Sequence, residues 1–213
     1  MVSQDWLSRL ERRLGGLAVE NLATFLVAMN AAVWLLSLVK PTFPSLLTLE
    51  PQLLLKGQLW RAVTFLFVPP PASPLWMVFW LYLLFLYANA LEREWGDFRF
   101  NVYYGVGALA LVAASLALGV GLPNTVLNLT IFLAFANLYP DFELLLFFIL
   151  PVKAWWLASL AWIWLAWTLL AGDSYSRLAV AASMVGYALF FGPSHWRGAR
   201  DRLSSWRWRR RLK

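Results

Sequence analysis

The residues able to do chemistry are few and sit in short islands between long apolar runs. One island is Gly57-Gln58-Leu59-Trp60-Arg61, leading into Ala62-Val63-Thr64-Phe65. A second is Leu91-Glu92-Arg93-Glu94-Trp95-Gly96-Asp97-Phe98-Arg99, running on to Tyr103-Tyr104. A third begins at Pro140-Asp141 and resumes at Leu150-Pro151-Val152-Lys153. An Arg beside a Trp suits a bilayer surface: the indole takes the headgroup level while the guanidinium stays wet or bonds carbonyls and phosphates. Gly96 permits a tight turn, and Glu92 and Glu94 are near enough in sequence to Arg99 to pin it. With no cysteine in the chain, a thiol nucleophile, a disulfide and a Cys-ligated metal are all excluded. The single histidine, His195, does not make a His-rich metal centre, and neither metal nor cofactor is expected.

The elements that must hold these islands are membrane spans. Of 213 residues, 61% are hydrophobic and 14% charged, against about 25% charged in a soluble domain. A span needs about 20 mainly apolar residues, and six segments come near that length: 22–39, 75–91, 100–118, 124–139, 154–171 and 178–193. Proline and glycine punctuate the joins. The apolar stretch 144–152 could extend the fourth span or start the fifth; its ending in Pro151 favours a place at the interface. The expectation is an all-α bundle of six spans over 22–193, preceded by a segment 1–21 and followed by a tail 194–213. No ionisable residue lies mid-span, which argues against a pump or a proton-coupled carrier. Asn30, Asn89, Asn101, Asn128, Thr130, Asn137 and Ser183 remain as neutral polar groups able to bond a neighbouring helix.

The net charge of +7 belongs to one tail: residues 194–213 carry eight basic side chains against Asp201. Trp196, Ala199, Leu203 and Trp206 fall at helical spacing there, with Trp208 beyond. Arg197, Arg200, Arg207, Arg209, Arg210 and Arg211 surround them. A basic segment beside a span is drawn to anionic lipid headgroups, and interleaved Trp inserts at that level. Nucleic acid is the competing partner for Arg with aromatics; proximity to the bilayer favours lipid. Arg9, Arg12, Arg13, Arg93, Arg99, Lys153 and the tail would share one side of the membrane. Only Lys40, Lys56, Arg61 and Arg177 fall on the other, so the positive-inside rule places both termini in the cytoplasm. In the first segment Trp6, Leu10, Leu14 and Leu17 share a helical face, as in an interfacial helix; a partly ordered terminus is the other reading.

The three islands, in this order on six spans, resemble the rhomboid superfamily, which includes rhomboid intramembrane proteases and the inactive Derlins. Trp60-Arg61 before Ala-Val-Thr-Phe is similar to the family's first-loop motif. Leu91-Glu92 with Trp95-Gly96 and Arg99 is similar to its turn between the second and third spans. Pro140-Asp141 with Leu150 to Leu157, including Pro151 and Lys153, is similar to the stretch before the fifth span in many bacterial members. The resemblance covers roughly residues 20–192; the chain is expected to be an integral multi-pass membrane protein, in the plasma (inner) membrane if the cell is bacterial.

The chain departs from the family at the reaction centre. Rhomboid proteases carry Gly-x-Ser-Gly at the start of the fourth span and a His in the sixth; the Ser attacks a peptide carbonyl and the His takes its proton. Here the fourth span begins Pro123-Asn124-Thr125-Val126-Leu127-Asn128-Leu129-Thr130, with no Gly-x-Ser-Gly. Asn128 best matches the nucleophile position, with Thr125 or Thr130 a turn away, and Ser183 matches the His. His195 follows Gly192-Pro193 at the far end of the sixth span. A base must come within about 3 Å of the proton it takes, and a membrane core of about 30 Å intervenes. No catalytic residue is assigned. The resemblance implies a silent pseudoprotease that binds transmembrane segments of client or partner proteins, as in membrane-protein quality control. The alternatives are an active protease with an unrecognised nucleophile and a small-solute or lipid transporter.

Overall fold

The computed structural model describes residues 5–146 and 150–211, with side chains described over 7–145 and 151–192. Among these, a short helix α1 (Asp5–Leu14) and a 3-10 turn lead into α2 (Leu22–Val39). A loop with two small helices, α3 (Pro51–Leu55) and α4 (Arg61–Thr64), precedes α5 (Pro74–Trp95) and α6 (Asp97–Leu118). Then come α7 (Thr125–Leu138), strands β1 (Glu143–Leu146) and β2 (Leu150–Lys153), α8 (Ala154–Ala171) and α9 (Ser174–Arg211). Four of these, α2, α5, α6 and α8, are long and apolar enough to cross a membrane, and the chain is an all-α membrane protein but for one hairpin. The expected fourth span is the shorter apolar helix α7. The expected sixth span is the opening part of α9, whose backbone continues as helix beyond Pro193.

Two boundaries differ from the sequence reading. Helix α5 continues through Glu92, Arg93 and Glu94 to Trp95, so α5 and α6 are separated by Gly96 alone. Leu91 and Glu92 are buried, and that burial carries the helix past its apolar run. Gly96, at φ 82° and ψ 157°, holds a backbone conformation that is essentially glycine-only. The second difference lies in the stretch 144–152, where β1 pairs antiparallel with β2, Glu143 opposite Lys153 and Leu145 opposite Pro151. The N–H of Ala154 bonds the Phe142 carbonyl at 2.8 Å and that of Trp155 the Pro140 carbonyl at 3.1 Å, closing the hairpin onto the start of α8. A two-stranded ladder leaves edge groups that hydrocarbon does not tolerate, which suits a place at the interface.

Helix α7 is the axis of the bundle. Ten of its 14 residues are buried, as expected of a helix apolar on every side, and it packs against α5, α8 and α9. The closest seam joins α6 and α9. A Cβ on Gly186 would sit 2.5 Å from the Tyr103 carbonyl oxygen, and one on Gly107 would sit 2.5 Å from Leu127 Cδ1 and 3.5 Å from the Ser183 carbonyl. Position 186 thus meets 103 while 183 meets 107, so α9 runs antiparallel to α6 and leaves the bundle where α6 begins. Of two small-residue pairs at i, i+4 spacing, Ala182 with Gly186 and Ser115 with Gly119, the first contributes Gly186 to this seam. Ser115 and Gly119 instead end α6: the Ser115 hydroxyl donates to the Val120 carbonyl at 2.6 Å and Gly119 is left-handed. Helix α8 is peripheral, with Trp155, Trp156, Trp162, Trp164 and Trp167 exposed along it.

Candidate functional site

The second island is a knot tying one end of the bundle. Its acids do not pin the turn through Arg99, as the sequence spacing suggests. Glu92, buried near the end of α5, accepts the Ala23 N–H at 3.3 Å on each carboxylate oxygen and so satisfies an open donor at the start of α2. Glu94 accepts from the Tyr139 hydroxyl at 3.2 Å, just past α7, and Arg99 pairs with Glu11 of α1 at 3.5 Å. Trp95 packs on Tyr103, Phe190 and Phe191 with ring centroids 5.3, 5.3 and 5.8 Å away, bringing α9 to the same point. The spacing within the island is local, but apart from Tyr103 these partners are distant in sequence. This is why its role is invisible to a one-dimensional reading.

At the other end, the first island separates its Trp from its Arg. Trp60 stays exposed beside Leu59 and Val63, whereas Arg61 is only 4% exposed. Arg61 Nη1 donates to the Ser45 and Thr48 carbonyls at 3.0 and 2.8 Å, and Nε donates to Gln58 Oε1 at 2.7 Å. Of the partners open to it, the guanidinium takes carbonyls of its own loop. Asn124, to which the sequence assigned no role, completes the staple: its Nδ2 reaches the Phe65, Leu66 and Val68 carbonyls at 3.0, 2.9 and 3.2 Å. Asn30 of α2 also donates to the Leu66 carbonyl, at 3.3 Å. Asn before a helix signals an N-cap; here the same side chain holds a loop instead. In the third island Pro151 sits in β2, and Lys153 pairs with Asp141 at 3.0 Å.

Between these ends lie the positions matched to the family's dyad. Asn128 is buried in α7; its Oδ1 accepts from the Tyr104 hydroxyl at 3.0 Å, and its Nδ2 has no partner. Ser183, 1% exposed on α9, has an unpartnered hydroxyl. Thr130 Oγ1 is spent on the Leu127 carbonyl at 2.7 Å. Thr125, exposed at the start of α7, lines two adjoining cavities. One, of about 270 Å³, lies between α5, α7 and α8, walled by Trp80, Leu84, Tyr87, Asn128, Phe132 and Trp164. The other, of about 350 Å³, opens among the loops around Glu50, Val68 and Leu122. Pro70 and Thr125 belong to both, so the cavity beside Asn128 adjoins the one at the loop end of the bundle. No carboxylate, ammonium, guanidinium or imidazole lines the inner cavity. It is an apolar slot with an amide in its wall, suited to receiving side chains of an apolar segment.

His195 and the tail residues Trp196, Arg197, Arg200, Trp206, Arg207, Trp208, Arg209, Arg210 and Arg211 lie outside the described side chains, so only their helical backbone is placed. Along that helix His195 is about 18 Å beyond Ser183 at 1.5 Å per residue. No protein-family model and no curated protein matches the chain.

Proposed function

We propose that the chain is a six-span rhomboid-like membrane protein, both termini cytoplasmic, that binds transmembrane segments of other proteins without cutting them. The observation that carries this reading is the slot between α5, α7 and α8. It reaches Asn128, has no carboxylate or cationic group in its wall, and is bounded on one side by α8, which buries little of its own surface. A partner's apolar side chains would enter there, and the slot is too small for a whole helix. The excess of Lys and Arg on the side of the two terminal segments, fourteen against four, supports the orientation. The pseudoprotease assignment is supported by a pair of positions holding an amide and a lone hydroxyl where nucleophilic catalysis needs a hydroxyl and a base in contact.

The test is photo-crosslinking in living membranes from a reactive residue at Leu129, which lines the slot, with Leu109 on the outer face of α6 as control. Capture of integral membrane proteins at 129, reduced by filling the slot with Leu84→Trp and absent at 109, is the expected result. Equal capture at both positions overturns it. Labelling by a serine-reactive phosphonate that Thr130→Ala or Ser183→Ala abolishes would establish a protease instead.

A further inference from the structure

Helix α1 is fixed to the bundle in a way that leaves its basic side unused. Leu7 is buried and Glu11 pairs with Arg99, so this face is docked at the start of α6. Just beyond α1, Asn101 grips the chain at Val19 twice. Its Oδ1 accepts the Val19 N–H at 3.0 Å and its Nδ2 donates to the Val19 carbonyl at 2.9 Å. The segment 7–19 is therefore clamped at two points rather than tethered loosely. Arg9, Arg12 and Arg13 point away from the docked face, are exposed, and among the described residues have no ion-pair partner. With Leu10 and Leu14 they line a shallow groove. At 100° per residue, Leu10 and Leu14 fall between the docked face and the arginines. Leu17, 79% exposed, and Val19, 50% exposed, continue this apolar edge.

We infer that α1 and the turn after it form a docking surface for anionic phospholipid. Arg9, Arg12 and Arg13 hold headgroup phosphates in the groove, while Leu14, Leu17 and Val19 enter the acyl boundary beside them. Charge decides the occupant. Three guanidinium groups around one groove, without an ion-pair partner among the described residues, match phosphate oxygens, which they bond in a fork geometry. A leucine edge next to them belongs at the depth where headgroup meets chain. The surface lies at the end of the bundle where α6 starts and α9 departs, the end carrying Arg93 and Arg99. It does not depend on the slot near Asn128 or on any client.

The chain lacks cysteine, so a single Leu17→Cys, labelled with an environment-sensitive dye, reports on this edge in the full-length protein. The protein is reconstituted in phosphatidylcholine vesicles with or without phosphatidylglycerol, and dye depth is read from emission and from quenching by lipid nitroxides. Phosphatidylglycerol should seat the dye deeper, and Arg9→Gln/Arg12→Gln/Arg13→Gln should remove that dependence. The three arginines should shift the seated-to-free ratio by about 100-fold in anionic membranes. The Arg→Lys triple variant should keep most of the effect, and a dye at Leu59→Cys, at the other end of the bundle, should ignore all three changes. An anionic-lipid dependence that survives the glutamine triple, or a dye depth equal in both vesicle types, overturns the proposal.

Discussion

Arg61 shows what a charged side chain costs and contributes at a membrane surface. Its guanidinium is withdrawn from solvent but meets two carbonyls and an amide oxygen, so the ion's burial is offset by charge-assisted bonds. Replacing it with Ala strands the Ser45 and Thr48 carbonyls. The expected loss is about 3 kcal/mol, read as a lower unfolding temperature in detergent, with faster proteolysis of the loop over 40–73. Trp60→Ala, a few ångströms along the chain but exposed, should change detergent stability by about 0.5 kcal/mol or less. A larger effect at Trp60 than at Arg61 would contradict this division of labour. The sequence named both residues and the Arg's two kinds of partner. Which partner it took depended on where residues 45 and 48 fold.

Single elements are held by contacts that periodicity does not reveal. Helix α9 begins at Ser174 with Asp173 ahead of it: Asp173 Oδ1 accepts the Ser176 hydroxyl at 2.6 Å and Oδ2 accepts the Tyr175 N–H at 3.1 Å. The Ser176 hydroxyl first, and the backbone N–H groups after it, hold the Asp173 carboxyl below its ordinary pKa. A carboxyl whose pKa is lower folded than unfolded stabilises the fold fully above the unfolded value, and that contribution disappears as pH falls through the folded one. Amide exchange at Tyr175 and Ser176 should therefore stay protected until the pH drops below the usual carboxylate range, and then rise. In Asp173→Ala the same amides should exchange fast at every pH; an acid-dependent step that persists in that variant would assign it to another group. At the other extreme, α1 was legible as amphipathic, yet the sequence grouped Leu10, Leu14 and Leu17 without showing that Leu7 would be the buried anchor.

At the scale of the molecule, the α6–α9 seam decides whether the bundle closes. An interior helical Gly normally disfavours the helix by about 1 kcal/mol relative to Ala, so Gly→Ala should stabilise wherever there is room. Gly105 of α6 has open space around its missing Cβ, whereas at Gly186 the Tyr103 carbonyl stands in the way and is backbone that cannot swing aside. Gly105→Ala should raise the unfolding temperature, and Gly186→Ala should lower it at a cost of about 1–3 kcal/mol from overpacking. The same sign at both positions would mean the seam is looser than its geometry. The sequence by itself determined that the chain is helical and built for a membrane, and its islands marked where helices end. Those properties follow from apolar run length and from Gly and Pro, which act locally. Only the tertiary structure decided that Glu92 caps α2, that Glu11 rather than a neighbouring acid holds Arg99, and that Asn128 borders a slot. Each of these needs two segments distant in sequence to meet within hydrogen-bond or van der Waals range, and no local pattern carries that distance.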